Sequence, residues 1–162
     1  MAFKKQLTKE QALQKARHYC GYQERSHAEV KEKLYSFGLR RQEVDETLAL
    51  LIEDDYLNEE RFARQFAGGH FRLKRWGRVK ITYELKQKRV SEYCIRKALK
   101  EIEEDDYEKT LDKLAADKWR TLASEPNLFI KMRKTQDYLL QKGYESALIR
   151  QAIEKIKAAA DA

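Results

Sequence analysis

Proline is almost missing from this chain: Pro126 is the only one in 162 residues, and glycine occurs six times. Few backbone positions therefore interrupt a helix. Cysteine is equally sparse. Cys20 and Cys94 stand alone and form no CxxC, which excludes a disulfide framework and a cysteine-based zinc site. No apolar run is long enough to span a membrane. The opening MAFKKQLTKEQ lacks the apolar core of a secretory signal, so a soluble cytoplasmic protein is expected. Catalytic signatures are also wanting. His18, His27 and His70 are scattered, with no HExxH, and GxSxG, EF-hand and kinase patterns are absent. Gly68–Gly69 lies in a helical pattern and lacks the spacing of a phosphate-binding loop. A non-enzyme without metal or cofactor is expected.

What the chain does contain is Ala, Leu, Lys, Glu, Gln and Arg, the strong helix formers, and the expected fold class is all-α. Hydrophobic residues make up 42% and charged residues 38%, which supports packing but favours an open shape over a thick core. The net charge of +7 is unevenly placed. Residues 61–90 hold ten basic side chains against the single acid Glu84, or +9, leaving −2 for the remainder. So concentrated a charge points to an anionic partner.

The sequence repeats. When Leu34, Leu85 and Leu139 are aligned, Gly38, Arg89 and Gly143 fall at one helix end, followed by Leu39, Val90 and Tyr144. Val44, Ile95 and Ile149 coincide further on, then Leu48, Leu99 and Ile153, then Leu51, Ile102 and Ile156. IEDDY closes the first copy and EEDDY the second. Apolar spacing alone would match any pair of amphipathic helices; the shared helix breaks and the duplicated DDY indicate a true threefold repeat. The DDY acids precede new helices, where they complement the helix dipole and need no metal.

Each copy reads as three helices. Thr8 with Gln11 and Ser26 with Glu29 predict capping boxes. The second of these helices stops at Gly38, and a third runs through Val44 to Ile52. Asn58 caps the next, to about Arg75, followed by helices over 78–88 and from Ser91. The third copy predicts helices over 106–122, from Pro126 in a first turn to Gly143, and from Ser146 to Lys157. The expected architecture is three tandem three-helix repeats, 1–55, 56–104 and 105–162, in an elongated, curved arrangement.

The stretch RFARQFAGGHFRLKRWGRVK, residues 61–80, holds seven of the basic residues and no acid. On a helix, Phe62, Phe66, Gly69, Leu73 and Trp76 fall on one stripe about 80° wide, which predicts a packing seam with Gly69 admitting a neighbouring helix. Arg64, Phe71 and Arg75 lie opposite, and Lys74, Arg75, Arg78 and Lys80 surround the turn that follows. Helix-dipole complementation accounts for one or two of these charges, not ten. The candidate partner- or DNA-binding residues are therefore Arg64, Phe71, Arg72, Lys74, Arg75, Arg78 and Lys80. Phe71 either sits between arginines at a contact or packs beneath another repeat. His70 reads as a flanking residue.

These residues resemble the RecX family of regulatory proteins. The resemblance runs through Asp55-Tyr56-Leu57-Asn58, Phe62-Ala63, the basic run Arg72 to Arg75, Gly77, and Glu84-Leu85 followed by Lys88-Arg89-Val90. The early RSHAEVKEKLYSFG and the late DYLLQKGY are similar to parts of the first and third repeats, so roughly residues 11–157 are covered. Arg89 departs from the usual helix-ending glycine, and Asn58 from the usual acid. The resemblance implies a cytoplasmic three-helix-repeat protein that binds the RecA recombinase filament, and DNA directly or within it. It further implies modulation, usually inhibition, of ATPase, strand-exchange and coprotease activities. Nothing demands a dimer, and a monomer is expected. The alternative is an autonomous, largely non-sequence-specific DNA-binding protein. Its recognition helix, opening at Ser91, would carry SEYCIRKALKEIEE, whose four acids and three bases suit a major groove poorly. A plain helical scaffold kept soluble by its charge is the third reading.

Overall fold

The computed structural model describes residues 6–161. Among them the chain forms nine α-helices and no strand. They are α1 (Lys9–Tyr22), α2 (His27–Ser36), α3 (Arg41–Glu53), α4 (Glu59–Lys74), α5 (Arg78–Gln87), α6 (Glu92–Leu99), α7 (Glu104–Thr121), α8 (Leu128–Lys142) and α9 (Ser146–Ala160). No helix among the described residues is long and apolar enough to cross a membrane.

The helix starts follow their capping chemistry. The Thr8 hydroxyl accepts from the Gln11 N–H at 3.2 Å while the Gln11 side chain accepts from the Thr8 N–H at 3.0 Å, a complete capping box. Asn58 accepts from the Arg61 N–H at 2.9 Å and Ser91 from the Cys94 N–H at 3.3 Å. The box expected at Ser26 is half formed. Its hydroxyl accepts from the Glu29 N–H at 3.1 Å, but the Glu29 carboxylate is drawn away to Lys88 at 2.9 Å. Pro126 stands two residues before the helix it was expected to open, because Asn127 takes the cap by accepting from the Ile130 N–H.

The helix breaks repeat in detail. Gly38, Arg89 and Gly143 all adopt left-handed backbone, with φ of 90°, 60° and 96°. Each donates its N–H to the carbonyl three residues back, on Tyr35, Lys86 and Leu140. In the second and third copies, Val90 and Tyr144 also reach back to Leu85 and Leu139, completing Schellman motifs. Arg89 therefore keeps the turn a glycine would make, at the cost of a side chain in a region that disfavours one. The two DDY segments, by contrast, do different work. Asp54 ends α3 and pairs with Arg17, and Asp55 turns left-handed at φ 62° and pairs with Arg61. Asp105 and Asp106 lie inside the first turn of α7.

The chain gathers into two compact units. One comprises residues up to Phe66 together with Leu85–Ala98; the other comprises Ala67–Glu84 and Leu99 onward. In the first, α1, α2 and α3 pack on one another around Ala12, Ala16, Val30, Leu34, Val44 and Leu51. Arg61 pairs with Glu24, and the Glu59 carboxylate accepts from the Ser91 N–H at 2.6 Å, tying the start of α4 into this unit. In the second, α7, α8 and α9 pack pairwise, and Tyr107, Leu111, Leu139, Tyr144 and Ile149 are buried.

Candidate partner and nucleic-acid interface

The basic stretch begins on α4, whose buried side is not a straight stripe. Phe62, Ala63, Ala67 and Phe71 are buried, and from Phe62 to Phe71 the buried direction turns about 180° around the helix. The reason lies in the division of the chain: α4 gives its residues up to Phe66 to one unit and those from Ala67 to the other. A single seam through Phe62, Phe66, Gly69, Leu73 and Trp76 presumes one packing partner. Leu73 is accordingly 87% exposed, Phe66 and Trp76 are half-buried, and a side chain at Gly69 would meet nothing.

Phe71 lies on the buried side. It is 8% exposed and stacks on Tyr107 with ring centroids 5.9 Å apart, so its contact reading gives way to packing beneath the third copy. Tyr107 in turn meets Tyr144 at 5.1 Å. This aromatic column anchors the second half of α4 within its unit.

The turn after α4 is held by backbone. Arg75 takes φ 58°, and its carbonyl accepts from the Tyr144 hydroxyl at 2.9 Å. Gly77 then presses on the end of α8. The Gly77 N–H donates to the Lys142 carbonyl and the Val79 N–H to the Gly143 carbonyl, both at 2.8 Å. A Cβ on Gly77 would sit 2.3 Å from the Gly143 oxygen, so the close approach expected of Gly69 belongs to Gly77. Glycine in the family pattern at this place has a steric reason.

Arg78 turns inward. Its guanidinium lies 3.9 Å from the Tyr107 ring centroid and pairs with Glu145 at 2.7 Å and Glu104 at 2.6 Å. The Arg78 N–H donates to the Tyr107 hydroxyl at 2.9 Å, and that hydroxyl donates to Glu145. Burial alone would lower the Arg78 pKa, but the two carboxylates outweigh it and hold the guanidinium charged. Burial, reinforced by the Glu145 carboxylate, pushes the Tyr107 phenol well above its ordinary range. Arg78 thus ties α5 to α7 and to the cap of α9, and its side chain is largely withdrawn from any partner.

The remaining basic residues stay available. Arg72, Lys74 and Arg75 are exposed and Lys80 is half-buried. None of the four forms an ion pair among the described residues. Lys74 and Lys80 lie 5.3 and 4.6 Å from the Trp76 ring centroid, and the His70 ring meets the same indole at 4.4 Å, tilted by 32°. Lys142 joins them by donating to the Lys74 carbonyl at 3.3 Å. The structure therefore brings Lys74, Lys80 and Trp76 together, with Lys142 beside Lys74, in the second unit. Arg64 belongs to the first unit and is bonded to Glu60 at 2.8 Å. Lys142 escaped the sequence reading because it is 68 residues from Lys74.

Residues 58–99 match the model of the second three-helix domain of RecX, and residues 104–153 that of its third. The regulatory protein RecX of Thermotoga maritima is 30% identical over 157 residues, spanning 94% of this chain and 89% of that relative. The chain belongs to the RecX family. Another RecX regulatory protein, from Prosthecochloris aestuarii, is 28% identical over 145 residues, or 90% of this chain and 93% of that one. The crystal structure of RecX from Lactobacillus salivarius superposes with a TM-score of 0.84 over 93% of this chain and 97% of the other, at 22% identity. That likeness bears on the fold: an all-α repeat of RecX type.

Proposed function

We propose that this RecX-family chain is a non-catalytic regulator that binds the RecA recombinase filament and modulates it, usually by inhibiting its ATPase, strand-exchange and coprotease activities. The family match across nearly the whole chain carries the reading. The available basic residues supply its physical means, because Arg72, Lys74, Arg75 and Lys80 lack carboxylate partners and are free to meet phosphate or an acidic protein surface. A regulator that prefers one state of the filament shifts the population toward it, and ATP turnover falls without any chemistry by the regulator. The three repeats 1–55, 56–104 and 105–162 are taken as the units of duplication, and the chain as a cytoplasmic monomer.

A DNA-dependent RecA ATPase assay with added protein tests the reading. The wild type should depress turnover at stoichiometric amounts, and the triple variant Arg72→Glu, Lys74→Glu, Arg75→Glu should fold normally and lose that effect. Unchanged ATP turnover and filament assembly with the wild type would refute it. Arg78 is left out of the variant because its reversal would break the fold. The second reading, autonomous DNA binding with little sequence preference, draws on the same unpaired cations. It would be favoured by tight, salt-dependent DNA binding in the absence of recombinase.

A further inference from the structure

The first unit holds a second cationic surface that the basic stretch does not include. An open cleft of about 530 Å³ lies between α1, the end of α2 and the loop after α1. Its walls are the rings of Tyr19, Tyr22 and Phe37 and the cationic chains of Lys15, Arg25 and Lys33; no Asp or Glu lines it. The Arg25 guanidinium lies 3.7 Å from the Tyr19 ring centroid, and Lys33 lies 5.3 Å from Tyr19 and 5.8 Å from Phe37. Lys15 lies 5.9 Å from Phe37. Among the described residues none of the three cations has a carboxylate partner, and Tyr22 is 78% exposed.

The fold uses only part of this surface: Tyr19 and Phe37 pack partly against the core, whereas Tyr22 stands clear of it. The core side of α1 is Ala12, Ala16 and Cys20, and that of α2 is Val30 and Leu34. Lys15, Tyr19 and Tyr22 follow the helical period along a different side of α1, and Lys33 and Phe37 stand one turn apart at the end of α2. Lys15 and Lys33 rest on ring faces by weak, exposed interactions and move off easily, while the Arg25 Nε also donates to the Tyr19 carbonyl at 3.1 Å and keeps its remaining donors for a ligand. A ligand that offers planar rings and regularly spaced negative charge could stack on the tyrosines while the lysines and arginine turn to its anionic groups. Single-stranded nucleic acid alternates these two features, whereas a duplex hides its ring faces and an acidic peptide carries none along its backbone. The volume is within the roughly 300–1,000 Å³ of ordinary ligand pockets, enough for a nucleotide or two of a strand.

We infer that this cleft is a stacking site for single-stranded nucleic acid, with Tyr22 and Tyr19 as the ring platform and Lys15, Arg25 and Lys33 on the phosphates. It shares no residue with the cations around Trp76 and does not depend on the recombinase reading.

The test uses the full chain and fluorescence anisotropy at fixed salt, with a short oligothymidylate, an abasic strand of equal length, and a duplex. Oligothymidylate should bind about tenfold tighter than the abasic strand, the size expected of one stacked base. Tyr22→Ala should remove that preference, leaving the abasic affinity and the circular-dichroism melt unchanged. Lys33→Glu should weaken both strands and flatten the salt dependence. Photocrosslinking with 5-iodouracil in the strand should mark the peptide holding Tyr19 and Tyr22. The triple reversal of Arg72, Lys74 and Arg75 should lower overall affinity, if DNA meets both places, and keep the preference for bases. The inference fails if abasic and base-bearing strands bind equally, if the duplex is preferred, or if Tyr22→Ala keeps the tenfold difference. It also fails if that preference disappears with the triple reversal instead, which would move the stacking to Trp76.

Discussion

Replacing Arg78 by alanine should destabilise the protein by about 2–4 kcal/mol, although a sequence reading puts this residue among the outward basic cluster. The Glu104 arm adds little, since that carboxylate side chain is 78% exposed and such pairs are worth about 0–1 kcal/mol. The Glu145 arm is half-buried, and hydrogen bonds to a charged group there are worth about 1.5–3 kcal/mol. The guanidinium on the Tyr107 ring adds about 0.5–1 kcal/mol. The backbone bond from Arg78 to the Tyr107 hydroxyl survives the substitution and is not counted. Arg78→Lys should fall between the two, because an ammonium keeps the charge but not the paired geometry. Urea unfolding followed by far-ultraviolet circular dichroism measures the difference, with Arg72→Ala as the exposed control expected within about 0.5 kcal/mol of wild type. A result for Arg78→Ala as small as that control would refute the inward role and return Arg78 to the contact face.

Gly77→Ala should cost about 3 kcal/mol or more, since the new Cβ meets the Gly143 backbone and disturbs two backbone hydrogen bonds; thermal melts report it. Arg89→Gly should stabilise by about 0.5–1 kcal/mol, because relief at φ 60° outweighs the added freedom of the unfolded chain; the urea midpoint should rise. Stability should also fall as pH rises past about 10. Tyr107 and Tyr144 are held above that ordinary tyrosine value in the folded chain, chiefly by burial, so the unfolded chain loses its protons first. Urea midpoints taken from pH 8 to 11 should be level at first and then decline, and Tyr144→Phe should lessen the decline.

Composition and periodicity were enough for the all-α class, the helix starts at Thr8, Asn58 and Ser91, and the three aligned breaks at Gly38, Arg89 and Gly143. These depend on local chemistry, namely a hydroxyl or amide reaching an N–H three residues on, and a backbone turned left-handed. The charge excess of residues 61–90 was equally plain. Which of those charges face outward was not, because that depends on residues far along the chain. Arg78 is claimed by Glu104 and Glu145, and Phe71 by Tyr107. Leu73 was left exposed when the buried side of α4 turned away from it. A helical wheel presumes one core, and α4 serves two units. Nor does any motif mark the aromatic and cationic cleft, whose residues are ordinary ones made into a site by the packing of α1 against α2. Local sequence decides where this chain bends and what it carries; tertiary packing decides which of its charges are spent inside and which remain for a partner.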